Sequence, residues 1–313
     1  MEIRHVPVMR QEALAYLGPA VNHGLLIDCT CGEGGHSEMF LRHFPHMRLI
    51  GLDRDQEIQK KAKKRLAVFG DRVTLVNTWF DSFMDTYDIS DQRPTAILFD
   101  YGISIFHYEE SQRGFSFKRD EPLDMRLDKD GALSAADVIN SYPEERLADV
   151  IYQYGEERYS RRIASAICRK RKEQWINSSQ ELAEIIKYSV PKNYRYGRIH
   201  PATRTFQALR IEVNGELDRI ERSIEKAVEL LAPGGRIGII SFHSLEDRIV
   251  KQTFRRLAKK CSCPPEQMQC TCDRKPILKI LTKKPVKPTK EEVDSNAPSR
   301  SAKFRFAERL STE

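Results

Sequence analysis

Short apolar runs alternate with polar, helix-like segments over the first third of the chain. The runs of strand length are GLLID at 24–28, RLIGLDRD at 48–55, RVTLVNTWF at 72–80 and TAILFDYG at 95–102. After the second run, DQEIQKKAKKRLAVF places Ile58, Ala62 and Leu66 at helical spacing. Strands that alternate with amphipathic helices predict a parallel sheet in an α/β fold.

This alternation stops in the middle of the chain, where only helical patterns follow one another. Helix start signals recur there, such as the capping box at Ser178. A long amphipathic helix is predicted over 202–231. We therefore expect a helical insertion over 106–216, in a core formed by 1–105 and 217–313.

The α/β pattern returns after the insertion. PGGRIGIISFHSLED at 233–247 contains a turn, a fifth strand from Arg236 to Phe242 and a helix capped by Ser244. Two further strand-like runs, ILKILTKK at 277–284 and AKFRFAER at 302–309, are separated by a segment rich in proline and lysine. This arrangement predicts an antiparallel pair of final strands rather than another βαβ unit.

Chemically distinctive residues stand where the predicted strands end. In an open α/β sheet, ligands bind beyond the carboxyl ends of the strands. The residues at those ends are Asp28, Asp53, Phe80, Asp100 and His243. Because ionised carboxylates are costly in a protein interior, acids at these places predict a ligand site rather than packing.

The glycine-rich loop DCTCGEGGHS, after the first strand, is compatible with two kinds of ligand. Gly32 and Gly34 fit the dinucleotide pattern G-x-G-x-x-G, and Asp53 follows at a suitable distance. Ser37, however, occupies the position of the third glycine, and Asp28 would face a pyrophosphate. A cationic ligand without phosphate suits that acid better, which favours S-adenosylmethionine over NAD.

The two candidate ligands, S-adenosylmethionine and a dinucleotide, would both use Asp53. With S-adenosylmethionine, Asp53 would accept the ribose hydroxyls and Phe80 would pack on the adenine. With a dinucleotide, the chain would be an oxidoreductase and Asp53 would again bind a ribose. A tight turn without any ligand explains the glycines but leaves Asp53 and Asp100 unexplained.

Charge is unevenly distributed along the chain, whose net charge is +7. Segment 251–290 has twelve Lys/Arg and two Asp/Glu, while segment 187–210 has six Lys/Arg and no acid. Aromatic residues interspersed in the second segment are Tyr188, Tyr194, Tyr196 and Phe206. Cations that hold phosphates beside rings that stack on bases favour a single-stranded nucleic acid as partner, ahead of a solvated face.

The apolar runs and the cysteines indicate the cellular compartment of the protein. No apolar run is long enough to cross a membrane, and MEIRHVPVMRQEAL lacks the apolar core of a signal peptide. Seven cysteines, an odd number, in a chain of 313 residues favour reduced thiols in a cytosol. We expect a cytoplasmic protein without a membrane partner. Its oligomeric state stays open, with a homodimer as one alternative.

Several of the cysteines form a C-x-C-x6-C-x-C pattern in CSCPPEQMQCTC. They are Cys261, Cys263, Cys270 and Cys272. Four thiolates in so short a loop could ligate zinc tetrahedrally, although zinc sites more often use C-x2-C, and thiols without a metal are slightly favoured.

Longer stretches of the sequence resemble the RsmH family of bacterial methyltransferases, formerly called MraW. They are HVPVMRQEAL, DCTCGEGGHS, LIGLDRD, RGFSFKRDEPLDMRLD, YGEERYSRRIASAI, HPATRTFQALRIEVNGEL and APGGRIGIISFHSLEDRIVK, with a weaker match at SNAPSRSAKFRFAER. The strong matches run from about His5 to Lys251. The resemblance implies the S-adenosylmethionine-dependent methyltransferase fold: an α/β, Rossmann-like sheet of seven strands, with an antiparallel terminal pair and an inserted helical domain.

The same resemblance implies an activity, a partner and a set of cofactor contacts. Members of this family methylate the N4 amine of one cytidine in the decoding region of 16S ribosomal RNA, in the small ribosomal subunit. The implied contacts of S-adenosylmethionine are Gly34, Gly35, His36, Asp53, Phe80, Asp100 and His107.

The segment DYGISIFHY departs from the family pattern. Tyr101 stands for Leu, Ile105 for Ser and His107 for Gln, and Cys31 stands where the family more often has Phe. An imidazole can still donate or accept one hydrogen bond, so His107 stays in the predicted site. These departures leave an alternative, an RNA-binding protein that keeps the fold without the activity.

Further residues receive roles in methyl transfer and RNA binding. Asp100 would orient the amine, unless it serves only the cofactor. His243 would line the pocket of the target base, or hold a purely structural position at the start of the following helix. Predicted RNA contacts in the insertion are Arg113, Arg119, Arg126, His200 and Arg204. For each arginine, an internal ion pair is an equal alternative.

Overall fold

A computed structural model describes residues 6–261, 263, 267, 269, 271–272 and 274–311. The chain forms two compact units. Ile103–Leu217 form one of them, called the helical unit below, and the rest of the chain forms the other, called the sheet unit. The boundaries predicted from the sequence are 105/106 and 216/217.

Helices and strands are numbered in chain order. The first are α1 (Arg10–Val21), β1 (Leu25–Asp28), α2 (Gly35–His43), β2 (Arg48–Asp53), α3 (Gln56–Leu66), β3 (Val73–Asn77), α4 (Phe80–Thr86) and β4 (Ala96–Asp100). Next come α5 (Ile105–Glu109), α6 (Ala135–Ser141), α7 (Glu144–Gly155), α8 (Ser160–Lys170), α9 (Ser179–Ser189), α10 (Lys192–Arg195) and α11 (Ala202–Asn214). The last are α12 (Glu216–Leu230), β5 (Arg236–Ser241), α13 (Ser244–Leu257), β6 (Leu278–Ile280), α14 (Lys290–Ser295) and β7 (Lys303–Arg309).

The strands of the described residues form a single seven-stranded sheet in the order β3-β2-β1-β4-β5-β7-β6. Strands β1 to β5 run parallel, and β7 lies antiparallel between β5 and β6. β1 is buried along its whole length, as an inner parallel strand covered on both faces should be. The predicted α/β fold with an antiparallel terminal pair is confirmed.

Each unit has its own hydrophobic core. In the sheet unit, Leu26 and Leu98 of the central strands belong to one buried cluster with Phe40 of α2 and with Phe304 and Phe306 of β7. In the helical unit, α7 packs between α8 and α11 around a second buried cluster. The helices of the described residues are all too short or too polar to cross a membrane.

Three predicted boundaries were wrong. The predicted helix over 202–231 is two helices, because Gly215 adopts a left-handed conformation (φ 58°) that ends α11. Phe80 does not end a strand; β3 ends at Asn77, and Phe80 is the first residue of α4. The cap of α13 is His243 rather than Ser244.

Candidate functional site

The carboxyl ends of three neighbouring strands bring three aspartates to one edge of the sheet. β1 lies between β2 and β4, and these strands end at Asp28, Asp53 and Asp100 respectively. Such an edge is where open α/β sheets bind ligands. The predicted convergence of these acids is therefore present in the sheet unit.

Glycines shape the loop between β1 and α2. Gly34 is the residue before α2 and has a left-handed backbone conformation (φ 81°), which a residue with a side chain rarely adopts. A Cβ at Gly34 would also lie 3.1 Å from Leu66 Cδ1, and one at Gly35 would lie 3.2 Å from Pro7 Cδ. Glycine at position 34 therefore suits the tight turn into α2 beside the three carboxylates.

Asp53 is anchored to this loop through its carboxylate. Its Oδ2 accepts the backbone N–H of Gly32 at 2.9 Å, and its Oδ1 accepts that of Asp55 at 2.8 Å. These two hydrogen bonds hold the Asp53 carboxylate beside the glycine-rich loop at the sheet edge.

Asp28 is almost completely buried and is held by a neighbouring hydroxyl. Ser37 Oγ donates to Asp28 Oδ2 at 2.6 Å. Burial raises the pKa of Asp28 to about 6, although the hydrogen bond from Ser37 opposes the rise. The serine that replaces the third glycine of a dinucleotide loop therefore stabilises a buried carboxylate.

Asp100 has a buried oxygen without a partner. Its backbone N–H donates to Thr30 Oγ1 at 2.6 Å, but its Oδ1 has no hydrogen-bond partner among the described residues. Burial raises the pKa of Asp100 to about 7, and the negative charge of Asp28 contributes to the rise. A buried acceptor left unsatisfied is costly, so this oxygen marks the place of a donor or a cation.

His36 lies next to Asp100 and is fixed by its other ring nitrogen. Its Nε2 is 2.8 Å from the carbonyl oxygen of Val8, which can only accept, so Nε2 carries the proton. Its Nδ1 lies 3.8 Å from Asp100 Oδ2, beyond hydrogen-bond distance. The ring therefore adds a polar edge to the site beside Asp100.

Aromatic rings flank the same edge. The edge of Phe80 packs on Phe99 with ring centroids 5.5 Å apart, and the Phe80 and Tyr101 centroids are 6.0 Å apart. The hydroxyl of Tyr101 is buried and has no hydrogen-bond partner among the described residues. These rings could contact a flat heterocycle, and the Tyr101 hydroxyl could bind a polar group on it.

Comparison with known proteins now identifies the family. The sequence profile of the MraW methylase family matches residues 2–310. A ribosomal RNA small subunit methyltransferase H from Treponema denticola is 51% identical over 310 residues, which cover 99% of this chain and 98% of that protein. A protein of the same name from Symbiobacterium thermophilum is 47% identical over 312 residues, which cover 99% of this chain and 98% of that protein.

This chain belongs to the MraW methylase family. It is therefore a methyltransferase, and the resemblance seen in its sequence motifs is confirmed. The seven-stranded sheet with its antiparallel terminal pair is the methyltransferase fold that this resemblance implied. The oxidoreductase alternative was wrong.

The residues at the sheet edge of this methylase fit S-adenosylmethionine. The cofactor carries two positive charges and no phosphate, and the edge offers Asp28, Asp53 and Asp100. The unpartnered Asp100 Oδ1 can accept an N–H from a bound group. Gly34 and Gly35 present backbone without side chains at the start of α2. Asp53, Phe80 and Asp100, which the sequence predicted as cofactor contacts, also lie at this edge of the sheet.

Cys29 and Cys31 lie beside this site as buried thiols. Burial raises their pKa values well above the usual range for thiols, and the charge of Asp28 adds to the rise. Cys31 Sγ lies 3.5 Å from Ser37 Oγ. Thiols that resist ionisation are poor metal ligands, since metals bind the thiolate.

His107, the remaining predicted cofactor contact, belongs to the helical unit. It lies in α5 and is 4% exposed. Its ring packs against Phe106 and Phe115, with centroid distances of 5.5 and 5.2 Å. Its role toward the cofactor stays a prediction.

Two of the predicted RNA contacts are engaged inside the helical unit. Arg113 is 4% exposed, and its Nη1 donates to the carbonyl oxygen of Arg126 at 2.9 Å. Arg126 forms a two-pronged ion pair with Asp124, with distances of 2.8 and 2.9 Å, and donates to Gly131 O. These contacts give both arginines a structural role.

The other predicted RNA contacts also have partners within the helical unit. Arg204 donates to the carbonyl oxygen of Glu156 at 2.7 Å, and Arg119 donates to that of Glu109. The ring of His200 stacks on Phe117 with centroids 4.5 Å apart. Burial, reinforced by the charge of Lys187, lowers the pKa of His200, which disfavours a cationic phosphate contact at neutral pH.

His243 serves the start of α13. Its Nδ1 accepts the backbone N–H of Glu246 at 3.4 Å, and Glu246 in turn accepts the backbone N–H groups of Phe242 and His243. Its Nε2 lies 3.0 Å from Glu246 Oε1 but is not aligned for a hydrogen bond. This reciprocal capping box favours the structural alternative for His243.

Sequence reasoning missed residues that hold the aspartates in place. Thr30 accepts the backbone N–H of Asp100, and Ser37 donates to Asp28. Their partners are seventy and nine positions away in the chain, so no local pattern links them. The serine at the third glycine position was the one available signal, since a hydroxyl there needs a partner once buried.

Proposed function

We propose that this methyltransferase transfers a methyl group from S-adenosylmethionine to the N4 amine of one cytidine in the decoding region of 16S ribosomal RNA, in the cytoplasm. Small-subunit ribosomal RNA appears in the names of the relatives from T. denticola and S. thermophilum. The observation that carries the chemistry is the buried Asp100 Oδ1, which lacks a partner at the sheet edge. Cytosine N4 carries the hydrogens that a carboxylate accepts.

Cofactor binding is assigned to the sheet unit. Asp53 would accept the ribose hydroxyls, since its carboxylate is held at the sheet edge by the backbone N–H groups of Gly32 and Asp55. Phe80 would pack on the adenine, and Gly34 and Gly35 would let the backbone approach closely. Bound S-adenosylmethionine supplies an electrophilic methyl group on a sulfonium, whose sulfur leaves as a neutral thioether.

The residues of the chain must align the target amine with the methyl group and remove a proton from the amine. The lone pair of cytosine N4 is delocalised into the ring, so the amine is a weak nucleophile. Asp100 would accept one N4 hydrogen, which orients the amine for in-line attack, and would take the proton as the new N–C bond forms. Burial raises the pKa of Asp100 to about 7, which suits a proton acceptor near neutral pH.

RNA recognition is assigned to the helical unit. An aromatic-basic face of this unit consists of Lys187, Tyr188, Arg195 and Tyr196. Tyr188 and Tyr196 are 63% and 73% exposed, and the Arg195 guanidinium lies 4.7 Å from the Tyr188 ring centroid. Exposed rings beside cations bind unpaired bases and their phosphates, and a base must be unpaired to reach a methyl donor.

The other aromatic residues of this basic segment serve the fold. Tyr194 donates its hydroxyl to Glu157 at 2.6 Å, and Phe206 is only 5% exposed. Only Tyr188 and Tyr196 of the four rings are therefore available for stacking on RNA.

A methyl-transfer assay tests the proposal directly. The protein is incubated with tritiated S-adenosylmethionine and small ribosomal subunits that lack the modification, and the labelled nucleotide is mapped. N4-methylated cytidine in the decoding region is the expected product. Label on another base, or on another atom of cytosine, would overturn the assignment.

Asp100→Asn separates the two roles of this carboxylate. Lower transfer with unchanged affinity for S-adenosylmethionine supports amine orientation. Lost affinity assigns Asp100 to cofactor binding alone.

A further inference from the structure

A second chemically distinctive region lies in the sheet unit, in the loop between α13 and β6. The base of this loop is closed by a hydrogen bond from the backbone N–H of Ile277 to the carbonyl oxygen of Leu257, at 3.1 Å. The Arg274 side chain also donates to the carbonyl oxygen of Arg256. Between these closures, the described residues form neither a helix nor a strand.

A loop of this length needs some source of order. Long loops without secondary structure in compact domains are usually functional or disordered. The sequence from Lys259 to Lys275 has one large apolar residue, Met268, so it cannot form a hydrophobic core of its own. A bound metal ion can supply the missing folding free energy in such a segment.

Three thiols of the loop have the spacing of metal ligands. The Sγ atoms of Cys261 and Cys272 lie 3.6 Å apart, and all three sulfurs of Cys261, Cys263 and Cys272 lie within 4.8 Å of one another. Tetrahedral zinc with Zn–S bonds of about 2.3 Å places its sulfur ligands about 3.8 Å apart. A disulfide requires about 2.05 Å, so the observed spacing suits a shared ion instead.

The backbone around the thiols also suits a metal-bound thiolate. The backbone N–H of Cys263 donates to Cys261 Sγ at 3.3 Å. Such N–H···S hydrogen bonds orient a thiolate ligand and compensate part of its charge.

We propose that Cys261, Cys263 and Cys272 bind a structural Zn²⁺ that folds this loop. The sulfur spacing favours this assignment over thiols without a metal. Cys270, the fourth cysteine of the sequence pattern, lies outside the described residues. Zinc is preferred to other divalent ions because several thiolates in tetrahedral geometry select it.

The first test is the metal content of the full-length protein, purified under reducing conditions without chelator. About one zinc per chain is expected by elemental analysis. Replacement of zinc by Co²⁺ should give thiolate-to-cobalt charge-transfer absorption and the intense visible bands of tetrahedral cobalt. A chain without stoichiometric zinc that also gives no thiolate–cobalt absorption on titration would overturn the proposal, as would iron in place of zinc.

Matched variants then locate the site. Cys261→Ser and Cys272→Ser should each lower zinc affinity by about 100-fold or more, since each removes one ligand. Cys168→Ala, in the helical unit, should keep wild-type zinc content. Equal zinc content in all three variants would refute the assignment. These readouts do not depend on methyl transfer, so they stand whether or not the RNA substrate is correct.

Discussion

The carboxyl edge of the sheet and the arginines of the helical unit differ in whether their charged groups have partners within the protein. Asp100 keeps a buried oxygen without a partner, and burial raises the pKa of Asp100 to about 7. Arg126, in contrast, pairs with Asp124 through two hydrogen bonds, and Arg113 donates to a carbonyl oxygen. The first arrangement favours a ligand, whereas the second stabilises the fold.

This difference separates residues that the sequence motifs treat alike. Asp100 and Arg126 both received predicted functional roles from the sequence. Membership in a motif therefore does not distinguish a ligand contact from a structural contact. The hydrogen-bond partners inside the protein make that distinction, since a satisfied buried group gains little from a ligand while an unsatisfied one gains much.

The largest effect is expected for Asp100→Asn at the sheet edge. The amide keeps the size of the side chain but can neither take a proton nor neutralise a cation. Methyl transfer should fall by about 10²–10⁴-fold, the usual contribution of a general base. Single-turnover transfer of tritiated methyl groups measures this. Asp91→Asn, an exposed aspartate of the same unit, is the control; equal rates in both variants would contradict a chemical role for Asp100.

Arg113→Met should lower the stability of the fold rather than the rate of methyl transfer. Removing the guanidinium leaves buried carbonyl oxygens without donors, so the free energy of unfolding should fall by about 2–4 kcal/mol. Urea denaturation measures it, with the exposed Arg161→Met on α8 as control, expected within about 0.5 kcal/mol of wild type. A stable Arg113→Met variant with weakened RNA binding would restore the RNA-contact hypothesis.

Tyr188→Ala and Tyr196→Ala test the aromatic-basic face. Loss of one stacked base should weaken binding of an unpaired RNA by about 1–3 kcal/mol per ring, with little change in folding stability. Fluorescence anisotropy with a labelled decoding-region RNA measures the affinity. Tyr152→Ala, also exposed but on α7 outside the basic segment, is the matched control. Equal affinities for all three variants would remove this face from the RNA interface.

A pH dependence of stability is also expected at Asp100. The pKa of Asp100 rises from its ordinary 3.8 to about 7 in the folded protein. The folded state therefore holds a proton that the unfolded state has released, and stability is lost as pH rises from about 4 to 7. Asp100→Asn removes this loss, so its free energy of unfolding should exceed that of wild type by up to about 4 kcal/mol at pH 8, at about 1.4 kcal/mol per pKa unit, and by almost nothing at pH 4. Parallel thermal unfolding at the two pH values checks the sign.

The order of strands and helices could be predicted because it depends on local pattern. Apolar runs with acids at their ends predicted β1, β2 and β4, and the proline- and lysine-rich segment between the last two runs predicted the antiparallel final pair. The break at Gly215 was missed, because an amphipathic pattern continues across a left-handed residue. The helical start at Phe80 was missed for a similar reason, since aromatic residues also suit strands.

The sequence by itself determined the family, the α/β fold and the residues at the strand ends, because long motifs and hydrophobic periodicity are properties of neighbouring positions. Tertiary structure alone decided which charged groups are satisfied. Asp28 meets Ser37, Asp100 meets Thr30, and Cys261 meets Cys272 only after the chain has folded. Burial and hydrogen bonding arise from contacts between distant segments of the chain. Only the folded structure therefore shows that Asp100 has an unsatisfied oxygen, whereas Arg126 has partners within the protein.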